Sequence, residues 1–188
     1  MRYTKIPETT FKELQLNAGI IVESFTPDSG EVSGLVGATS GGMSFKATPS
    51  FSDFGEDIDN CPKNTKELKR LDDWEVKLTG SLVTFNEDSV VRTLGAADAT
   101  EGKITPRRDL KADDFTDLWW VGDYSDNNSD SKGGAIAIHM MNTLSTGGFA
   151  LTTTDKAKGK AAFEFTAHFS VDAQETVPFE IYIIEGQD

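Results

Sequence analysis

Residues 41–85 of the chain read GGMSFKATPSFSDFGEDIDNCPKNTKELKRLDDWEVKLTGSLVTF, and this segment decides the fold. Its two ends alternate between apolar and polar side chains, which is typical of a β-strand with one covered face. The apolar positions are Met43, Phe45, Ala47 and Phe51 at the first end, and Trp74, Val76, Leu78 and Leu82 at the second. The segment therefore predicts two amphipathic strands, and Pro49 predicts an edge position or a bulge in the first.

Residues 53–73 connect these two strands through a polar segment that is too long for an ordinary hairpin loop. Loops of this length are usually functional or disordered. Asn64 and Thr65 are typical residues at the start of a helix, and a short helix there would carry Leu68 and Leu71 on one face. The helix signal and the flanking strands favour an ordered segment.

The rest of the chain predicts more strands and one convincing helix. The further strands are expected at residues 18–25, 31–39, 118–124, 133–144, 149–154, 160–171 and 178–185. Asn86 should cap the helix, whose expected apolar stripe is Val90, Val91, Leu94 and Ala97. Residues 102–111 have the composition of a basic turn. We expect a mainly β fold, a β-sandwich or partial barrel of about eight or nine strands with one flanking α-helix and a long loop between early strands.

Length, charge and cysteine content limit the possible classes of protein. The 188 residues suit one domain spanning residues 1–188, with residues 1–17 as an N-terminal arm. A net charge of -13 argues against a freestanding nucleic-acid binder, which needs a basic surface. Cys61 is the only cysteine, so no internal disulfide is possible and a reducing compartment is expected. We expect neither a signal peptide nor a membrane span.

Candidate catalytic and metal-binding residues are few. His139 and His168 lie in predicted strands without a partner motif, which favours half-exposed structural residues over catalysis. A cluster of oxygen ligands at Asp123, Asp126, Asn128 and Asp130 resembles a calcium loop only in part. Ser131 stands where that loop needs glycine, and Ala137 stands where it needs a glutamate. We therefore expect no metal and no cofactor.

Two further readings involve carbohydrates. Four carboxylates at Asp53, Glu56, Asp57 and Asp59 could serve a glycoside hydrolase, but a loop does not fix the separation that such a pair needs. Trp119 and Trp120 should point to opposite faces of one strand, so one of them could be an exposed sugar platform of a carbohydrate-binding β-sandwich. Spacing and chemistry together predict that the chain is not an enzyme.

Several blocks of the chain resemble the major tail tube protein of long-tailed bacteriophages and prophages of Gram-positive bacteria. These blocks are NAGIIV (17–22), GLVGATSGGMSF (34–45), IDNCPKNTKELK (58–69), WEVKLTG (74–80) and DLWWVGDY (117–124). The resemblance extends over nearly the full chain. It implies a β-sandwich subunit with a flanking helix that forms hexameric rings, and the rings stack into a hollow tube.

The resemblance also implies partners and a location. A tape-measure protein would fill the lumen during assembly, tail terminator and distal tail proteins would bind the tube ends, and the genome would pass through without specific binding. The protein would belong to the virion tail and assemble in the host cytoplasm. Tube subunits of contractile injection and secretion systems share this fold and are an alternative.

The long connection at residues 53–73 would then be an assembly loop that orders against a neighbouring subunit. Charged pairs across ring contacts set register more than affinity. The candidate interface residues are Asp53, Glu56, Asp57, Asp59, Lys66, Lys69, Arg70, Arg107 and Arg108. An acidic subunit would also give a lumen that repels the phosphates of DNA.

Overall fold

The computed structural model of the protein describes residues 5–7, 9–10, 13–124 and 134–185. Within these ranges the chain forms eleven β-strands and one α-helix, α1 (Glu87–Leu94). The strands are β1 (Gln15–Thr26), β2 (Glu31–Leu35), β3 (Ser44–Asp53), β4 (Lys69–Leu82), β5 (Ala97–Thr100), β6 (Lys103–Pro106), β7 (Thr116–Tyr124), β8 (Gly134–Ser145), β9 (Ala150–Thr152), β10 (Lys160–Thr166) and β11 (Phe179–Ile184). Short 3₁₀ turns occupy Lys66–Leu68, Ala112–Asp114 and Val171–Ala173.

Nine of these strands form one antiparallel sheet in the order β2-β1-β7-β8-β10-β4-β3, with β11 on β8 and β9 on β10. Strand β8 belongs to two layers. Most of it lies between β7 and β11, whereas Leu144 and Ser145 at its end pair with β10. Met141 marks the change of partner, because its N–H donates to Pro178 and its carbonyl accepts from His168.

The main core lies between these two layers. Layer one consists of β2, β1, β7, β11 and most of β8, and layer two consists of β3, β4, β10 and β9. Layer one contributes Ile21, Leu118 and Met140, and layer two contributes Leu78 and Phe165; all five are buried. This arrangement confirms the predicted mainly β sandwich with one helix, and the inward side chains of β4 follow the predicted alternation.

The pairing of β1 with β7 completes layer one and is strongly non-local. Val22 lies opposite Trp119 in this ladder, and Ile21 lies opposite Trp120. Strands β3 and β4, by contrast, are consecutive and form the most local long ladder of the sheet. The consecutive strands β1 and β2 form another hairpin at the outer end of layer one.

The predicted connection at 53–73 is wrong at its second boundary. Strand β4 begins at Lys69 and pairs with β3 from Asp53 onwards, so the connection covers only residues 54–68. Cross-strand pairing satisfies backbone groups that a solvated loop would leave to water. The expected helix is only a 3₁₀ turn, in which Thr65 makes no capping bond, and Leu71 lies in the strand opposite Phe51.

The strand around Pro49 has the edge position and the bulge that this proline predicts. Strand β3 is the edge of layer two, and the register with β4 shifts between Ser50 and Phe51. Proline lacks the N–H that a central strand would need, so an edge with an adjacent bulge is where it fits.

Helix α1 starts where predicted but buries a different face. The Asn86 side-chain oxygen accepts from the backbone N–H of Ser89 at 2.8 Å. The Ser89 hydroxyl accepts in turn from the backbone N–H of Asn86 at 3.0 Å. The fully buried residues are Ser89 and Thr93, whereas Val90, Val91 and Leu94 are only half-buried. Ala97, the fourth residue of the expected stripe, is buried but lies in β5 and not in the helix. The Thr93 hydroxyl donates to the Ser89 carbonyl at 2.6 Å, so burial leaves it satisfied.

The expected basic turn at residues 102–111 is in part a hairpin. Strands β5 and β6 form a separate two-stranded sheet beside α1. Glu101 and Gly102 connect them, both with positive φ, at 48° and 82°. Positive φ at both central residues is typical of a type I′ turn, which matches the twist of a two-residue hairpin.

Candidate assembly surfaces

The first candidate surface is a two-stranded arm. Strand β10 pairs with β4 only from Lys77 to Leu82, so the outer parts of β3 and β4 pair only with each other. We define the arm as residues 50–73, which include the connection at 54–68. A two-stranded hairpin is marginally stable by itself in water, so an arm of this kind benefits from a surface to pack against.

The arm exposes large apolar side chains. Phe54 is 60% exposed, and Phe51, Ile58 and Leu71 are 46–53% exposed. The Lys69 ammonium lies 5.3 Å from the centre of the Phe51 ring, which covers only part of this apolar surface. Exposed apolar groups gathered in one segment make the arm a candidate interaction site.

Internal hydrogen bonds order the tip of the arm. The Asp53 carboxylate accepts from the backbone N–H of Gly55 at 2.9 Å and from the backbone N–H of Asn64 at 3.0 Å. These two hydrogen bonds close the loop. The Thr65 hydroxyl donates to the Pro62 carbonyl at 2.7 Å. Asp53 is therefore a structural residue of the loop and not a free carboxylate. The other three predicted acids, Glu56, Asp57 and Asp59, are exposed.

The predicted basic interface residues divide into two groups. Lys66, Lys69 and Arg70 are exposed on the arm; Lys66 lies 3.4 Å from Glu67, and Lys69 donates to Asn64 at 3.2 Å. Arg107 lies elsewhere, and its side chain is only 15% exposed. Arg108, its neighbour, is exposed.

Arg107 holds the β5–β6 hairpin to the 3₁₀ turn at Ala112–Asp114. Its guanidinium contacts the carboxylates of Asp98 and Asp114. Burial raises the pKa of Asp114, but the Lys111 amide and the Arg107 guanidinium lower it more, so the pKa lies below its ordinary value. Arg107 is therefore occupied within its own subunit, and of the two predicted arginines here only Arg108 is available to a partner.

The second candidate surface consists of the two edge strands of layer one. All five residues of β2 are exposed, including Val32 at 50% and Leu35 at 60%. On β11, Ile181 is 51% exposed and Ile183 is 61% exposed. Each strand contains one glutamate, Glu31 in β2 and Glu180 in β11, but neither contains lysine or proline. Among the described residues no further strand pairs with the outer side of either, which leaves both edges available for pairing with another chain.

The strand predicted at 178–185 is observed as β11. Tyr182 and Ile184 pack against a second buried cluster that contains Trp119, whereas Phe179 packs against the main core. Its ring meets Trp74 edge-on at 5.6 Å between centroids. Ile181 and Ile183 continue along the same face of the strand, where they are exposed. In the outer half of β11 the covered residues are therefore Tyr182 and Ile184, which lie on the opposite face.

The histidines and tryptophans take structural positions. The His139 ring stacks on Trp119 at 4.1 Å and 5°, and its Nε2 lies 3.0 Å from an Asp117 oxygen. The Trp120 indole N–H donates to the Ala18 carbonyl at 3.1 Å. Both tryptophans are buried or half-buried, so neither is the exposed sugar platform considered above.

One further exposed surface was not predicted from the sequence. It is the hairpin of β9 and β10, residues 149–160, which we call the lysine hairpin. Phe149 and Leu151 are 36% and 51% exposed, and Lys156, Lys158 and Lys160 are exposed as well. The detectable signal was three lysines at alternate positions in a chain of net charge -13.

Metal and membrane sites have little support in the described ranges. No group of three or more His, Cys, Asp or Glu side chains there could hold a metal. The Asp123 carboxylate accepts from the side-chain amide of Asn17 at 2.6 Å. The other residues of the suggested calcium loop, Asp126, Asn128, Asp130 and Ser131, lie outside the described residues. None of the described helices is long and apolar enough to cross a membrane.

Comparison with known proteins does not assign the chain to a family. No model of a known protein family matches its sequence. A search of curated proteins likewise finds no match.

Proposed function

We propose that this chain is a structural subunit that self-assembles into stacked rings and forms the hollow tail tube of a long-tailed bacteriophage or prophage. The observation that carries the proposal is the pair of open edges, β2 and β11, at the borders of one layer. A monomer gains nothing from two unpaired edges with exposed apolar side chains, which are a hazard for aggregation. A ring of copies covers both.

The edges differ from each other, so their contact would be heterologous. Strand β2 of one copy would lie beside β11 of the next, and backbone hydrogen bonds would extend layer one across the contact. Val32, Leu35, Ile181 and Ile183 would lose their exposure. A heterologous contact produces a ring when its rotation closes, and the resemblance suggests six copies.

The remaining parts of the proposal follow from the resemblance and from charge. A tape-measure protein would occupy the lumen during assembly, and tail terminator and distal tail proteins would bind the tube ends. The net charge of -13 supports a lumen that DNA crosses without binding. The protein would be located in the virion tail, and a tube subunit of a contractile injection system would use the same edges.

Electron microscopy of the purified, concentrated protein tests the proposal directly. We expect rings or tubes with a central channel, and sedimentation should show a concentration-dependent change from monomer to assembly. A strictly monomeric particle over the whole accessible concentration range would contradict the proposal.

The arm provides a second test. Replacing residues 54–68 by an Asn-Gly turn keeps β3 and β4 paired, because this dipeptide favours a two-residue hairpin. We expect circular dichroism to show a folded subunit that no longer forms tubes. Normal tubes from this variant would show that the arm has no part in assembly.

A further inference from the structure

We propose that the acidic side of the arm of one copy binds the lysine hairpin of a neighbouring copy. This inference rests on the proposed self-assembly and identifies the surfaces that join one ring to the next. It commits to a second copy of this chain as the occupant of the lysine hairpin. Charge, exposed apolar area and the positions of the two surfaces in layer two support this contact.

The acidic side of the arm is the run DFGEDID at residues 53–59, which contains four carboxylates and no basic residue. Glu56, Asp57 and Asp59 are exposed. Two apolar residues of the same run are exposed as well, Phe54 at 60% and Ile58 at 52%. The surface therefore presents two large apolar side chains surrounded by carboxylates. A complementary partner has exposed apolar side chains surrounded by basic residues.

The lysine hairpin has this complementary composition. Lys156, Lys158 and Lys160 outweigh the single exposed carboxylate of Asp155, so the hairpin is positively charged. Phe149 and Leu151 supply two exposed apolar groups. The Phe149 ring meets Phe85 edge-on at 6.2 Å between centroids, and Phe85, which is 42% exposed, extends this apolar surface. The two surfaces therefore carry opposite charge, and each exposes large apolar side chains.

The two surfaces cannot meet within one copy. Strand β4 carries the arm at Lys69, and its other end, Leu82, lies opposite Ala161 at the start of β10 beside the lysine hairpin. At a rise of about 3.3 Å per residue, these two ends of β4 are roughly 40 Å apart. The arm and the lysine hairpin therefore lie at opposite ends of layer two.

This placement favours a contact between stacked copies. A surface at one end of a subunit that binds a surface at the other end repeats without limit along one direction. The open edges β2 and β11 would extend a ring sideways, while the arm would add the next ring along the strands of layer two. Apolar contact would supply affinity, and the charges would set orientation and register.

An exchange of charge between two variants tests the contact. The variant E56K/D57K carries a basic arm, and K156E/K158E carries an acidic hairpin. Each variant alone places like charges together, so we expect its assembly threshold in light scattering and sedimentation to rise at least about tenfold. A mixture of the two offers opposite charges at every contact between unlike copies, so we expect alternating assembly near the wild-type threshold.

Control variants with the same change in net charge are E101K/E175K and K5E/K103E, whose side chains are exposed and lie outside both surfaces. They should assemble at the wild-type threshold, and circular dichroism should show that all four variants are folded. Failure of the mixture to assemble overturns the inference, as does normal assembly of either interface variant alone. A wild-type protein that never assembles counts against the proposed function as well, so the two failures are distinguishable.

Discussion

The open edge at β11 gives the sharpest quantitative expectation, through the substitution Ile183→Thr. Ile183 is 61% exposed in the subunit, so most of its apolar surface would be covered only when another chain pairs with β11. Threonine keeps the branched shape that favours a strand but replaces much of the apolar side chain by a hydroxyl group. The substitution therefore weakens the contact while leaving the strand itself intact.

The size of the effect follows from the exposed fraction. Complete burial of an isoleucine side chain contributes about 1.5–3 kcal/mol. In the subunit, 61% of the surface of Ile183 is still exposed to solvent. Each edge contact should therefore lose about 1–2 kcal/mol, which corresponds to a dissociation constant about 5–30-fold higher. The folded subunit should lose less than about 1 kcal/mol in its free energy of unfolding.

Two measurements separate these quantities. Analytical ultracentrifugation over a range of concentrations gives the assembly threshold, and urea unfolding of dilute protein gives the stability of the subunit. Val171→Thr is the matched control, because Val171 is 82% exposed but lies outside the strands. An unchanged threshold in Ile183→Thr, or an equal shift in Val171→Thr, would refute the reasoning about the edge.

Three further predictions concern the stability of the subunit. Asn86→Ala removes the side-chain cap of α1 and should lower the free energy of unfolding by about 1 kcal/mol in urea titrations. Asp114→Asn should destabilise at pH 7, and the deficit relative to wild type should shrink below about pH 4, where protonation removes the contribution of a carboxylate whose folded pKa is lowered. Gly80→Ala would place a Cβ 2.6 Å from Phe163 Cζ in the core, and the resulting overpacking should cost about 1–3 kcal/mol.

Each of these has a specific control or contrary outcome. Asn86→Asp retains an acceptor for the cap, so its stability should stay near wild type. A deficit in Asp114→Asn that is the same at pH 7 and pH 3 would mean that the charge of this carboxylate contributes nothing. An unchanged midpoint of thermal unfolding in Gly80→Ala would show that Phe163 can move aside at no cost.

Local patterns predicted the strands because their periods reflect burial directly. The alternation from Trp74 to Leu82 reports which side of β4 faces the opposite layer, and Asn86 signals the helix start through one hydrogen bond. The strand character of Lys69–Asp73 was missed because its residues are mostly charged, and the ladder with β3 holds them in place. Ser89 and Thr93 were missed because their buried hydroxyls bond to the helix backbone.

The candidate surfaces depended on information that no short window contains. The sequence shows that Ile181 and Ile183 share a face, but the extent of the opposite layer decides whether that face is covered. Likewise, the arm acids and the hairpin lysines are visible as letters, whereas their positions at opposite ends of layer two follow from the ladder between β4 and β10. The open edges at β2 and β11 appear only when the strand order is known.

The pairing of β1 with β7 also has a consequence for folding kinetics. Val22 meets Trp119 across about a hundred residues of chain, and contacts of high sequence separation form slowly because a long loop must close first. The local hairpin of β3 and β4 should form early, and layer one should close in the rate-limiting step. The edge at β11 depends on β8 in that layer, so we expect it to become competent for pairing only when the subunit already has its final shape.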